Sequence, residues 1–260
     1  MLKRAARVGW RRWVQAATVT ATVGAAGLVG AVPATAQVVL VQCPSDDLQQ
    51  AIDDADPGET LRVQGVCTGS FTIDKNLTLT GAAGAALEGN ANATTLTVTA
   101  GVQVQLNTLS IVHPSLTPGR GIDNSGTLTL SRSTVSGNDA VFGGGILNNA
   151  GATLTLNRST VSGNHGSFGA GIHNTGGTAT LNRATVSGNT AESQGGGINN
   201  DSGTVALNRS TVTGNEANNF DTGDAGGGIY NRATVTRVRT VISDNNPDDC
   251  AGSSPVPDCT

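Results

Sequence analysis

Residues 143–164 read GGGILNNAGATLTLNRSTVSGN, and four other stretches of the chain follow the same plan. Each copy opens on Gly-Ile-x-Asn, passes through a Thr-Leu-Thr-Leu-like run and closes on a Ser-Thr-Val-Ser-Gly-Asn-like ending. The copies begin at Gly121, Gly145, Gly171, Gly197 and Gly228, at periods of 24, 26, 26 and 31 residues, the range of solenoid repeats. A unit this short cannot bury its own apolar residues and has to stack on its neighbours. In Thr153-Leu154-Thr155-Leu156 polar and apolar residues alternate, the period of a strand with one face buried. The alternation returns at Thr127-Leu128-Thr129-Leu130, Thr178-Ala179-Thr180-Leu181 and Thr204-Val205-Ala206-Leu207. Val135, Val161, Val186, Val212 and Ile242 mark a second strand, and Ile122, Ile146, Ile172, Ile198 and Ile229 a third. Three short strands per copy predict one coil of an all-β parallel β-helix, a β-solenoid.

Glycine and asparagine punctuate the turns, where few other residues accept positive φ. Asn138, Asn164, Asn189, Asn215 and Asn245 share one motif position, and Asn124, Asn148, Asn174, Asn200 and Asn231 another. In-register stacking sets like on like about every 4.7–4.9 Å, so each amide can bond the amide of the next coil. A row of ligand-binding amides competes with this reading. The structural ladder is preferred, because the asparagines fall where the turn chemistry requires them.

The Gly-Gly-Gly-Ile-x-Asn, Thr-Leu-Thr-Leu and Ser-Thr-Val-Ser-Gly-Asn pattern resembles the secreted right-handed parallel β-helix repeat proteins, in the pectin-lyase-like superfamily and similar to polymorphic outer-membrane protein repeats. The resemblance covers residues 43–245 and is strongest from Gly121 onward. It implies a right-handed coil. It implies little about activity, since the matching residues are those that build the coil; some members cleave acidic polysaccharides and others have no assigned reaction.

Residues 1–36 read as a secretion signal: a basic start (Lys3, Arg4, Arg7, Arg11, Arg12), a weakly apolar stretch, and Ala34-Thr35-Ala36 as a small-x-small cleavage site. Arg11-Arg12 also admits a twin-arginine route, and a retained membrane anchor is disfavoured by the threonine-rich core of the segment. Cleavage after Ala36 removes five of the 15 basic residues and none of the 19 acidic ones, leaving 10 against 19 and a formal charge of −9. Such a surface repels nucleic acid and anionic membranes. The expectation is an extracellular monomer without a membrane span. Cys43 with Cys67 and Cys250 with Cys259 lie in two pairs at the two ends, as local cross-links in an oxidising compartment would. A zinc site competes, but neither pair has Cys-x-x-Cys spacing or a histidine close by.

The β-helix domain is expected over 37–246, with regular repeats over 121–245 and about eight coils in all. A cap over 43–58 covers its open start: Ser45-Asp46-Asp47-Leu48-Gln49-Gln50-Ala51-Ile52 predicts a short helix with Ser45 as N-cap, two acids in its first turn, and Leu48, Ile52 and Ala55 on one side. Leu61-x-Val63 would then start the first strand. The proline-containing tail, 247–260, is expected to be irregular and held by its disulfide.

Each copy carries one arginine six residues before its closing asparagine: Arg132, Arg158, Arg183, Arg209 and Arg239. The functional reading is a track for the carboxylates or sulfates of an acidic or cell-surface glycan; the alternative is solvated side chains shielded by neighbouring acids. A pectate-lyase-like reaction would need an acidic cluster for calcium and a basic residue. Asp221 and Asp224, in the enlarged fourth repeat, with Glu216 and Glu192 alongside, are the candidates for it. Without that reaction no cofactor or metal is expected. His165 reads as a surface residue, and His173, whose equivalents are Asp123, Leu147, Asn199 and Tyr230, as a variable outward one. Phe142 and Phe168 align on adjacent coils and are expected under the glycine-rich loop. Thr127/Thr129, Thr153/Thr155, Thr178/Thr180 and Thr234/Thr236 form a two-column array of the kind found on ice-binding solenoids, broken at Ala206. The preferred reading is a secreted non-catalytic scaffold for glycan or cell-surface interaction, ahead of a polysaccharide lyase and an ice-binding solenoid.

Overall fold

A computed structural model describes residues 38–90, 92–113, 118–218 and 225–259. The proposed leader, 1–36, and two of the candidate acids, Asp221 and Asp224, lie outside the described residues.

The chain winds into a parallel β-solenoid of eight turns, counted on the valine face, whose strands run from Val66–Thr68 to Val241–Ser243 and pair only with their neighbours one coil away. The Thr-Leu strands, exemplified by Thr153–Asn157, form a second face, and the Gly-Ile strands, exemplified by Ile146–Asn148, a third. These last two faces merge into one 15-stranded sheet, because Ile172–Asn182 and Ile198–Asn208 run unbroken from one to the other. A glycine makes each passage possible: Gly176 and Gly203 take φ of +118° and +93°, values open to a residue without Cβ.

Register follows the motif without slippage on the Thr-Leu face. Leu128, Leu154, Ala179, Val205 and Val235 form one inward column, and Leu130, Leu156, Leu181, Leu207 and Arg237 the next. Leu156 is fully buried, worth about 1.5–3 kcal/mol for a leucine side chain. Both asparagine ladders form. Nδ2 of Asn124, Asn148, Asn174 and Asn200 donates to Oδ1 of the asparagine one coil on, at 2.8–2.9 Å. The row from Asn138 through Asn164, Asn189 and Asn215 to Asn245 does the same at 2.8–2.9 Å and ends on the Asp249 carboxylate, at 2.8 Å.

The ends differ from expectation. The first strand is Val38–Gln42, ahead of the helix, and pairs with Thr60–Gln64. The helix spans Leu48–Asp54 with Asp47 as N-cap, its carboxylate accepting from the Gln50 N–H at 3.2 Å, and has no acid in its first turn. Ser45 and Asp46 are engaged elsewhere: the Ser45 hydroxyl donates to the Gln42 carbonyl, and the Asp46 carboxylate accepts from the Gln42 N–H. Leu48, Ile52 and Ala55 are buried on one side, as the spacing indicated. The disulfides are Cys43–Cys67 and Cys250–Cys259. The tail is not wholly irregular, since Cys250–Ala251 adds a strand beside Ile229–Tyr230 and Val256 enters the core.

A fourth set of strands, Asp139–Phe142, His165–Phe168, Thr190–Gln194 and Glu216–Ala217, makes a small sheet of its own. No alternation in the sequence announces it.

Inward and outward faces are tested by two adjacent substitutions. Leu156→Asp should lower stability by about 3–5 kcal/mol, as an uncompensated buried carboxylate does, whereas Thr155→Asp on the outer face should change it by under about 0.5 kcal/mol. Chemical denaturation curves of the two variants measure the difference.

Candidate functional site

The turn from each Thr-Leu strand to the valine strand is three residues long in effect: an outward residue (Ser131, Asn157, Asn182, Asn208 and, in the last copy, Val238), an arginine, and a small residue. Arg132, Arg158, Arg183, Arg209 and Arg239 sit at φ of +50° to +54°, the left-handed region that costs a residue with Cβ about 1–2 kcal/mol. Glycine or asparagine is the ordinary occupant. The chain uses glycine at its other tight turn, where Gly137, Gly163, Gly188 and Gly214 take φ of +61° to +67°. Five arginines therefore stand where the backbone prefers another residue.

The turn is over-determined by what surrounds it. The Arg132, Arg158 and Arg183 N–H groups each donate at 2.9 Å to the carbonyl of Asn157, Asn182 and Asn208 on the next coil, and that of Arg209 to Val238 at 2.7 Å. The residue after the arginine is buried and ties the coils again: Ser133 N–H donates to Ser159 Oγ at 3.2 Å, Ala184 N–H to Ser210 Oγ at 3.1 Å, and Ser210 N–H to Thr240 Oγ1 at 3.2 Å. The residue before it forms a third amide row, from Asn208 to Asn182 to Asn157, at 3.1 and 3.0 Å. Sequence reasoning passed over this third row and the serines. The shared spacing of Asn-Arg-Ser at 157–159 and 208–210 was the available signal.

All five arginine side chains are exposed. Among the described residues the ion pairs are Arg120–Asp123, Arg232–Asp201 and Arg237–Asp258. None involves the five, so the shielding acids that a purely solvated stripe would want are not in contact with it. The coil spacing of about 4.8 Å sets the pitch of the guanidinium stems. At the N-terminal end of the stripe an open groove of about 380 Å³ is bounded by Arg132, Thr108, Thr134 and the Gly81–Gly84 turn.

Of the acidic candidates, Glu216 and Glu192 lie among the described residues, and each bonds a different partner. Glu216 Oε1 accepts from Asn246 Nδ2 at 3.4 Å, and Glu192 Oε2 from the Ser167 hydroxyl at 2.7 Å. Among the described residues no three of His, Cys, Asp and Glu are grouped to hold a metal ion.

Two aromatic-region expectations are corrected. Phe142 and Phe168 do stack, with ring centroids 5.4 Å apart at 15°, but Phe142 is 45% exposed rather than covered. His173 is buried, at 3% exposure, with its ring edge-on to Phe142. The fourth strand set folds over the outer side of the Gly-Ile face, and Gly169, at φ +57°, comes so close that a Cβ there would lie 2.9 Å from the His173 Cβ. His165 is exposed, as expected. The threonine array is present and outward-facing, with Ala206 as its break.

No protein-family model matches the chain, and no curated protein matches it.

Burial pushes the His173 imidazole below its ordinary value; the Phe168 carbonyl and Asp201 oppose the shift and Arg120 adds to it. The unfolded chain therefore takes up this proton first, and stability falls as pH drops through about 6.5, the ordinary histidine value, toward the lower folded one. His173→Asn, the residue one coil on, should flatten that part of a stability–pH profile. Arg183→Gly makes the complementary check on the stripe. Relief of left-handed strain against the entropy of glycine should leave stability unchanged or up to about 1 kcal/mol higher by denaturant midpoint.

Proposed function

We propose that the protein is a secreted, non-catalytic right-handed β-helix that holds an acidic polysaccharide, free or at a cell surface, along its arginine stripe. One observation carries the reading: five exposed arginines, in no ion pair among the described residues, are kept in one column at backbone positions that disfavour them. A guanidinium is suited to carboxylate and sulfate because its donors form a planar fork and it does not lose its charge. The amide row on one flank and the outward hydroxyls of Thr134, Thr160, Thr185 and Thr211 on the other supply neutral donors and acceptors for a sugar chain. The resemblance to pectin-lyase-like repeat proteins, the leader cleaved after Ala36 and the two disulfides support an extracellular setting. Among the described residues no helix is long and apolar enough to cross a membrane.

Retention on an immobilised acidic glycan, compared with a neutral one, tests this. Binding should weaken steeply with salt, and Arg158→Gln/Arg183→Gln/Arg209→Gln, which keeps side-chain bulk, should abolish most of it. Unchanged retention in the triple variant would return the arginines to solvated surface. A calcium-dependent rise in ultraviolet absorbance on acidic polysaccharide, lost in Asp221→Ala/Asp224→Ala, would establish the lyase reading in its place.

The in-register threonines favour a second reading, an ice-binding face, since Thr127 and Thr129 repeat on adjacent coils as Thr153/Thr155 and Thr178/Thr180. Thermal hysteresis of the purified protein, and its loss in Thr155→Lys, would decide for it.

A further inference from the structure

The two ends of the solenoid are finished differently. At the C-terminal end the inward leucine column stops on Arg237, whose guanidinium bonds the Asp258 carbonyl and lies 3.7 Å from its carboxylate. The same tail seats Val256 in the core and is closed by Cys250–Cys259. An inward charge on the last strand and a covering segment are devices that keep sheet edges from pairing. Among the described residues the first strand, Val38–Gln42, has neither: its sequence is VVLVQ, without charge, proline or bulge, and it is paired on one side only.

Its free hydrogen-bonding groups can be located. Cys43 N–H donates to the Gln64 carbonyl at 2.8 Å, so alternation along a parallel ladder turns residues 39 and 41 toward Thr60–Gln64 and residues 38, 40 and 42 away. Gln42 is satisfied by Asp46, which accepts from its N–H at 2.7 Å and donates to its carbonyl at 2.8 Å. That leaves the N–H and C=O of Val38 and Leu40 aimed off the end of the sheet. The same two residues expose their side chains, at 56% and 39%. Polar residues follow them in their outward columns: Thr60 and Thr78 after Val38, Arg62 and Thr80 after Leu40. The capping helix is docked elsewhere, with Gln49 bonded to the Thr72 backbone on the Gly-Ile face.

We propose that the processed protein dimerises through this strand, antiparallel to its copy about a two-fold axis at Val39. Val38 then exchanges both backbone hydrogen bonds with Leu40 of the second copy, and Leu40 with its Val38. The apolar side chains of those pairs meet on the outer face, and Val39 meets Val39 on the core side. Cleavage after Ala36 leaves only Gln37 ahead of the strand, so the proposal rests on the leader reading for the edge to be uncovered. The interface is isologous and closes on itself, and the guarded C-terminal ends stop growth beyond two copies.

Sedimentation or light scattering of a chain that begins at Gln37 tests it. The mass should be that of a dimer at concentrations where Leu40→Lys, with its melting unchanged, is a monomer. Adding Val38→Glu to that variant should restore the dimer, because each new carboxylate then faces a new ammonium across the axis. A monomeric parent, a dimer indifferent to Leu40→Lys, or a double variant that stays monomeric would each overturn the proposal. The exported protein's own N-terminal sequence tests the leader separately, since the mass is measured on a chain whose start is fixed.

Discussion

Backbone hydrogen bonds between consecutive coils, in register, are the constraint on which everything else in this molecule depends. They fix a spacing of about 4.8 Å and oblige every motif position to face its own kind. For leucine and valine that is favourable, since each column closes over itself. For asparagine it is favourable because the amide carries a donor and an acceptor, so a column of amides can satisfy itself from Asn138 to Asn245. For a charged residue the same obligation is a cost.

That asymmetry gives the arginine column its meaning. Each member bears the repulsion of its neighbours and the strain of a left-handed backbone, while the glycines of the other turn bear neither. The turn is held by the hydroxyl of a buried serine and by backbone bonds to the next coil. Stability thus comes from the residues on either side of the arginine, and the guanidinium itself takes no part in holding the turn. Arg237 shows the opposite use of the same residue type: one column over, pointing inward, it ends the leucine stack and anchors the tail.

The repeat made the three principal faces, their inward residues and both amide ladders legible, because identical residues at identical phase leave one stacking register. Disulfide pairing followed from the separation of the two ends. What escaped was governed by contacts that periodicity does not encode. The helix cap moved to Asp47 because Ser45 and Asp46 were drawn into the turn below it. His173 went inside because strands with no alternating pattern folded over it. The opening strand was missed since VVLVQ lacks a polar partner at every second position. At the candidate site the arginine column was readable as a line. Its left-handed backbone and its lack of paired acids among the described residues were not, because both are properties of the turn in three dimensions.

The asparagine rows also have a direction. In both inner ladders every Nδ2 points toward the next coil and every Oδ1 toward the previous one, so each coil offers the same acceptor below and the same donor above. The row closes on the Asp249 carboxylate at its far end, and begins at Asn138, whose Oδ1 is buried without a partner. A whole coil inserted or deleted between those points would leave the chemistry of both ends untouched. Gene duplication within the repeats can therefore lengthen or shorten the arginine stripe in integer steps, each adding or removing one charge, without a new fold having to be found.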